Sequence, residues 1–331
     1  MRKVVIVNDT RYNYHHGCTQ VMENLINLLI NKNFNVVDTC SNGFSWHKNE
    51  QLVKNMKKSD LIVVNGEGTI HHNQEAGLQL LKISRFAKER NIKSVLINST
   101  FEGNDSSSYT YLKDFDLISV RESLSQKELD KINIKSLLVP DLSFLSSSDI
   151  LNIDNKSNIG FTDSVDLEIT KTIYKKILNI NNYLFMPILT YHKYKLIFHI
   201  RNFLFKISGR EFKNSYEYRF FGVYNTYKYK KNISNLRLLV TARYHALCFA
   251  LQLNIPFLAI ESNTFKIQGL LKDIGIDNFR FVKKSDQLNF SKENLEKYFY
   301  FSNNELKKIK DYNNLAKIKI NNLFDDISYI V

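Results

Sequence analysis

An arginine and a histidine stand one residue apart in Thr241-Ala242-Arg243-Tyr244-His245-Ala246-Leu247, directly after the apolar run Leu236–Thr241. Arginine offers a planar fork of donors that matches a carboxylate or a phosphate, and histidine changes charge near neutral pH. The Ala- and Leu-rich residues that follow read as a helix over Tyr244–Leu253, ended by Asn254 and Pro256. Arg243 and His245 would then sit at the positive end of the helix dipole, where an anion is favoured. Arg243 is therefore the candidate anion clamp and His245 the candidate general acid. The competing reading is structural, with the arginine paired to a nearby aspartate and the histidine packed under the helix.

Two further segments follow strand-like runs. After Leu61–Val64 comes Asn65-Gly66-Glu67-Gly68-Thr69-Ile70-His71-His72, where two glycines permit a tight turn around a carboxylate. Glu67 there could bind a sugar hydroxyl or act as a base, with Gly66, Gly68 and His71 beside it. After the first strand comes Asn8–Cys18, longer than the usual βα loop of about 2–6 residues. It carries Arg11, Tyr14, His15, His16 and Gly17. His15 and His16 are candidates to orient or deprotonate a hydroxyl, Arg11 and Tyr14 to bind it, and Gly17 to let a ligand approach the backbone. An ordinary surface loop and a plain turn are the bland alternatives. The two His-His pairs could converge on a metal, but adjacent side chains should diverge and no acidic partner has ligand spacing. No metal is expected.

The elements that must position these residues alternate. Strands are expected at Lys3–Val7, Asn35–Asp38, Leu61–Val64, Ser94–Asn98, Leu117–Val120 and Ser136–Val139, with helices at Thr19–Ile30, Asn49–Lys57, Asn73–Arg90 and Ser123–Lys131. Short apolar runs separated by helices indicate a parallel sheet covered on both faces. Ser146-Ser147-Ser148 and Asp149–Asn158 read as a linker. A second series follows, with strands at Asn158–Thr162, Tyr183–Pro187, Tyr218–Val223, Leu236–Thr241 and Pro256–Ile260, helices at Tyr194–Phe205 and Tyr244–Leu253, and a helical tail over Ser291–Ile330. The expectation is two Rossmann-like parallel-sheet domains, 1–150 and 151–331, facing each other across a cleft. In such sheets ligands bind beyond the carboxyl ends of the strands, which is where the candidate residues lie.

Length and composition agree. The chain has 331 residues, 44% apolar and 24% charged, enough for two cores. No apolar run reaches the length of about 18 residues that a membrane span needs, and Val4–Val7 is too short for a signal-peptide core. Three cysteines, Cys18, Cys40 and Cys248, form no metal-ligand spacing and no even disulfide framework. A cytoplasmic protein is expected. The net charge of +13 is spread in short clusters such as Lys228-Tyr229-Lys230-Lys231. It reads first as a solvated surface and next as a face for the inner side of a membrane. No nucleic-acid motif accompanies it, so nucleic acid is not an expected partner.

The segment Val240–Leu247, with Phe249-Ala250 and Ile255-Pro256, resembles the polysaccharide pyruvyltransferase family. Lys266 fits a recurring lysine of that family. Val64–Gly68 resembles its Gly-rich turn, Ile118–Glu122 its strand-Arg-acid segment, and Val139-Pro140-Asp141 its Pro-Asp element. Two positions depart from the pattern: Tyr14–Cys18 replaces a small and acidic run, and Glu67 stands where the family more often has Gly. The resemblance implies a GT-B-like fold and transfer of pyruvate from phosphoenolpyruvate to a sugar as a cyclic ketal. Arg243, Lys266 and Arg121 would then hold the donor, His245 would protonate it, and the first half would bind a glycan or lipid-linked sugar. No cofactor is implied beyond the donor itself. A glycosyltransferase using a nucleotide sugar is the first alternative, and a non-catalytic glycan- or nucleic-acid-binding protein is the second.

Overall fold

The computed structural model describes residues 1–41, 45–145, 158–178, 180, 182–189, 222–276, 278–283 and 290–331. The helix expected over Tyr194–Phe205, residues 218–221 of the strand expected over Tyr218–Val223, and nearly all of the linker lie outside them. Two compact units emerge. The first comprises Met1–Asn13, Val21–Leu145 and Asn314–Val331, and the second comprises Tyr14–Gln20 and Ser146–Asn313. Two segments cross-assign: residues 14–20 pack with the second unit and residues 314–331 with the first.

The first unit runs β1 (Arg2–Asp9), α1 (His16–Asn31, whose residues 16–20 belong to the second unit), β2 (Phe34–Ser41), α2 (Glu50–Met56), β3 (Leu61–Glu67), α3 (Glu75–Lys88), β4 (Lys93–Ser99), the single turn α4 (Ser106–Tyr109), β5 (Leu117–Val120), α5 (Ser123–Asp130) and β6 (Leu137–Leu138). Its sheet has the order β2-β1-β3-β4-β5-β6, and every neighbouring pair is parallel. Side chains alternate between the two faces of a strand. Val5, Val7, Ile62, Val64 and Leu96 join the core with Leu52 and Met56 of α2 and Leu81 and Ala87 of α3. Val4, Ile6, Val63 and Val95 on the other face are equally buried. Burial of both faces explains why these strands read as continuous apolar runs.

The second unit runs β7 (Asn158–Phe161), α6 (Leu167–Ile177), β8 (Tyr183–Phe185), α7 (Thr226–Ser234), β9 (Leu236–Thr241), α8 (Tyr244–Gln252), β10 (Phe257–Ile260), α9 (Lys266–Ile274), β11 (Phe281–Val282), α10 (Lys292–Glu296) and α11 (Asn303–Ile330), the last shared with the first unit. Its parallel sheet has the order β11-β10-β9-β7-β8. Among the described residues no helix is long and apolar enough to cross a membrane.

Both sheets reverse strand order once. The first does so between β1 and β3, the second between β7 and β9. At such a point the connections leave in opposite directions and open a crevice at the carboxyl ends of the strands. The residues after β1, β3, β7 and β9 are therefore the ones the topology places for ligands.

Arg280 closes the second unit at its far edge. It is 1% exposed, pairs with Glu305 of α11, donates to the carbonyls of Phe257 (3.1 Å) and Tyr298 (3.0 Å), and lies 4.6 Å over the Phe301 ring. Truncation would strand a carboxylate and buried carbonyls at once. Arg280→Ala is expected to destabilise the second unit by about 3–5 kcal/mol. Urea unfolding checks this, and a loss below about 1 kcal/mol would show that the guanidinium ties nothing together.

Candidate active site

Strand β9 delivers the arginine. Thr241 ends it, and its hydroxyl lies 2.8 Å from that of Thr162, the residue after β7. The Arg243 amide donates to Thr241 Oγ1 at 3.0 Å, fixing the turn into α8. Arg243 is the N-cap of that helix, with extended backbone, and every residue from Tyr244 to Leu251 is buried. A helix apolar on all sides needs to be buried on all sides, so its first turn is held in place.

Asp163 leaves β7 beside this turn. It is 0% exposed and ion-pairs with Arg243, taking Nε at 3.0 Å and Nη2 as well. Its second oxygen accepts the Ile188 amide at 2.8 Å. The structural pairing named as the competing reading is thus present. Arg243 is 7% exposed and His245 is 6% exposed, so neither is a surface group. The pair is neutral overall, and Arg243 leaves no net positive charge by itself.

The N-terminal segment Tyr14–Gln20 completes this cluster. The His16 amide donates to the Ile188 carbonyl (3.2 Å), and the His16 ring stacks on Tyr229 at 4.6 Å, with Nδ1 3.4 Å from the Thr226 hydroxyl. Burial keeps the Tyr229 phenol protonated, and it donates to the Met186 carbonyl at 3.2 Å. His15 Nδ1 accepts the amides of Gly17 (3.1 Å) and Cys18 (3.3 Å), capping α1. A neutral imidazole that accepts at Nδ1 carries its proton on Nε2. Burial, then the charges of His245, Arg243, His16 and Lys266, push the proton affinity of His15 well below the usual histidine range. Its ring meets that of His245 edge-on, with centroids 5.3 Å apart. Gly17 was expected to admit a ligand to the backbone. A side-chain carbon there would run into Cβ and Cγ of His245, so the group it admits is the histidine. Ligating atoms of His15, Cys18 and His245 lie within 4.8 Å of one another. Lys266 opens α9, 7% exposed, with Nζ 2.7 Å from Asn263 Oδ1. Tyr14 is 37% exposed and in the left-handed region, φ 53°.

The remaining candidates lie in the first unit. Glu67 is not an exposed turn residue but the last residue of β3, 5% exposed, and its Oε1 accepts from Thr10 Oγ1 (2.5 Å) and Asn65 Nδ2 (2.9 Å). Its φ is +40°. The left-handed conformation thus falls on Glu67 itself, which explains why glycine suits this position elsewhere in the pattern. Asn8 (φ 70°) and Asn98 (φ 58°), the penultimate residues of β1 and β4, are left-handed too. Gly66 is needed for a different reason, since a Cβ there would strike the Ser99 hydroxyl on β4. Gly68 follows the strand, half-buried. Arg11 pairs with the buried Asp9, Nε to Oδ1 at 2.9 Å. His71 and His72 do not diverge as expected; their Nδ1 atoms are 3.0 Å apart. Arg121 was expected to hold the donor's phosphate. It is 2% exposed in the first unit, bonded to Thr100 Oγ1 (2.8 Å) and Asp141 (3.0 Å), which gives it a structural partner there.

Sequence reasoning missed Asp163, Thr226, Tyr229 and Cys18. A rule was at hand for two of them. Asp163 directly follows an expected strand at a carboxyl end, and Cys18 stands three residues after His15 at the start of a helix, where such residues share a face.

Two parallel α/β sheets, each with one reversal of strand order, define a GT-B-type protein. The UDP-GlcNAc 2-epimerase of Neisseria meningitidis bound to UDP-GlcNAc superposes with a TM-score of 0.55 at 10% identity, over 98% of this chain and 100% of that one. The glycotransferase of kitacinnamycin gives 0.55 at 8% identity, over 99% and 98%. The Methanocaldococcus jannaschii UDP-GlcNAc 2-epimerase gives 0.50 at 12% identity, over 94% and 99%. At these identities the likeness is one of fold. No curated protein sequence matches the chain significantly. The family model for polysaccharide pyruvyl transferase matches residues 9–264, and the chain belongs to that family. As a member of that family it is a transferase that modifies polysaccharide, with a sugar or glycan as acceptor.

Alanine for glycine inside a helix usually stabilises by about 0.5–1 kcal/mol. At position 17 the sign should reverse, because the methyl competes with His245 for space. Gly17→Ala is expected to cost about 1–3 kcal/mol in urea unfolding. Equal or greater stability would show that the contact with His245 is slack.

Proposed function

We propose that this enzyme transfers the pyruvyl group of phosphoenolpyruvate to a sugar of a glycan, free or lipid-linked, closing it as a cyclic ketal and releasing phosphate. One observation carries the reading. Arg243 and His245 lie one residue apart at the strand-order reversal of the second sheet, beside Asp163, in a chain of the pyruvyl transferase family.

The donor is a small trianion with a carboxylate and a phosphate. Asp163 fixes the plane of the Arg243 fork, so the arginine contributes direction. The compensating charge is drawn from Lys266, a protonated His245 and the amides at the starts of α8 and α9. His245 gives its proton to the methylene carbon of the enol. The neighbouring carbon becomes electrophilic, a sugar hydroxyl oxygen bonds to it, the bond from that carbon to the phosphate oxygen breaks, and a second hydroxyl closes the ring. Two hydroxyl protons are released and one is taken up by carbon, so the other leaves on phosphate. General acid catalysis of this kind supplies about 10²–10⁴-fold. A neutral His15 adds no charge against protonation of its neighbour. The scheme uses no metal and no organic cofactor.

His245→Ala is expected to lower turnover by about 10²-fold or more with the fold retained. Arg243→Lys is expected to weaken donor binding, because a point charge replaces a fork. Phosphoenolpyruvate at about 100 times its Kd adds about 2.7 kcal/mol to stability and should raise the melting temperature. If a nucleotide sugar raises it and phosphoenolpyruvate does not, the donor assignment is wrong.

A further inference from the structure

His15, Cys18 and His245 bring two imidazoles and a thiol together within the second unit, their ligating atoms no more than 4.8 Å apart. Three observations suggest a use for this arrangement. His15 and Cys18 lie three residues apart across the start of α1, so they project from one side of it. Two nitrogens and one sulfur form a soft donor set, which selects zinc and its neighbours over magnesium or calcium. Cys18 sits in the first turn of a helix, where the dipole favours a thiolate. Beside the cluster, Arg243 is ion-paired with the buried Asp163.

We propose that His15, Cys18 and His245 form a soft-metal site, suited to zinc, whose occupation turns the enzyme off. Binding replaces the thiol proton by the metal, and that proton leaves to solvent. Ligation by His15 through either ring nitrogen takes the Nδ1 lone pair away from the amides of Gly17 and Cys18, so the cap is released. This cost makes the site one for metal arriving in excess rather than for a resident ion. Three protein ligands leave a fourth position for water. A metal on His245 occupies the lone pair that must hold the donor's proton, so turnover stops. This last step rests on the role given to His245 above; the metal site itself does not.

Cobalt distinguishes the two. Added to the purified full-length chain, Co²⁺ is expected to saturate at one equivalent with a thiolate-to-cobalt charge-transfer band in the near ultraviolet. Cys18→Ala should abolish the band and weaken binding by at least about 100-fold, more than loss of an outer-shell partner costs. Cys18→Ser serves if the alanine variant does not fold. Zinc should suppress turnover of the natural chain at least tenfold, reversibly with a chelator, and leave the turnover ratio with and without zinc near one in the Cys18 variant. Absence of the band, or a band that survives in both Cys18 variants, overturns the site. Stoichiometric binding with unchanged turnover overturns the switch. A cobalt band in a protein that never transfers pyruvate supports the site while removing the reaction assigned above.

Discussion

A carboxylate and a guanidinium buried side by side, Asp163 and Arg243, set the terms for the second unit. Neither could be buried alone, because an unpaired charge in a low-dielectric interior costs far more than a side chain's packing returns. Paired, they lock the end of β7 to the start of α8. The other oxygen of Asp163 holds Ile188, whose carbonyl receives the amide of His16. A single aspartate therefore fixes three pieces of chain far apart in sequence. His15, Gly17 and His245 occupy their positions because those pieces are fixed.

The first unit repeats the device in a different place. Arg121 leaves β5 as Arg243 leaves β9, and Asp141, just beyond β6, answers it as Asp163 does. Two segments that the sequence presents as separate family features, Arg121-Glu122 and Pro140-Asp141, are the two halves of one ion pair. A feature shared by a family can thus mark a joint of the scaffold as readily as a point of substrate contact. Arg121 and Arg243 are both held in such joints, and Arg243 stands next to the strand-order reversal of its sheet.

Most strands were legible because both faces of each sheet are buried, so apolar runs mark them. Leu117–Val120 and Leu236–Thr241 have the bounds read from sequence. Helices α6 and α9 have an amphipathic apolar stripe that went unread, and two other missed elements had weak local signals. Helix α7 is Thr-Tyr-Lys-Tyr-Lys-Lys-Asn-Ile-Ser, polar nearly throughout, and β11 is only Phe281–Val282, too short to show a period. Arg243 and His245 were found because the apolar strand and the Ala-Leu helix bracket them. Asp163 had no such bracket, since its partner lies 80 positions away and only the order of strands makes them adjacent. Glu67 was noticed for its neighbours, yet its backbone conformation, which flanking glycines seemed to promise to themselves, belongs to the carboxylate residue.

The seven residues Tyr14–Gln20 belong by sequence to one half and by packing to the other. Hybrid enzymes made by joining the front half of one relative to the back half of another would carry mismatched imidazoles, because His15 and His245 would come from different parents. Drift at Gly17 is likewise constrained by a histidine more than two hundred positions downstream. The halves of this transferase cannot be shuffled as independent cassettes, and sequence change in its first loop is tied to change at the opening of α8.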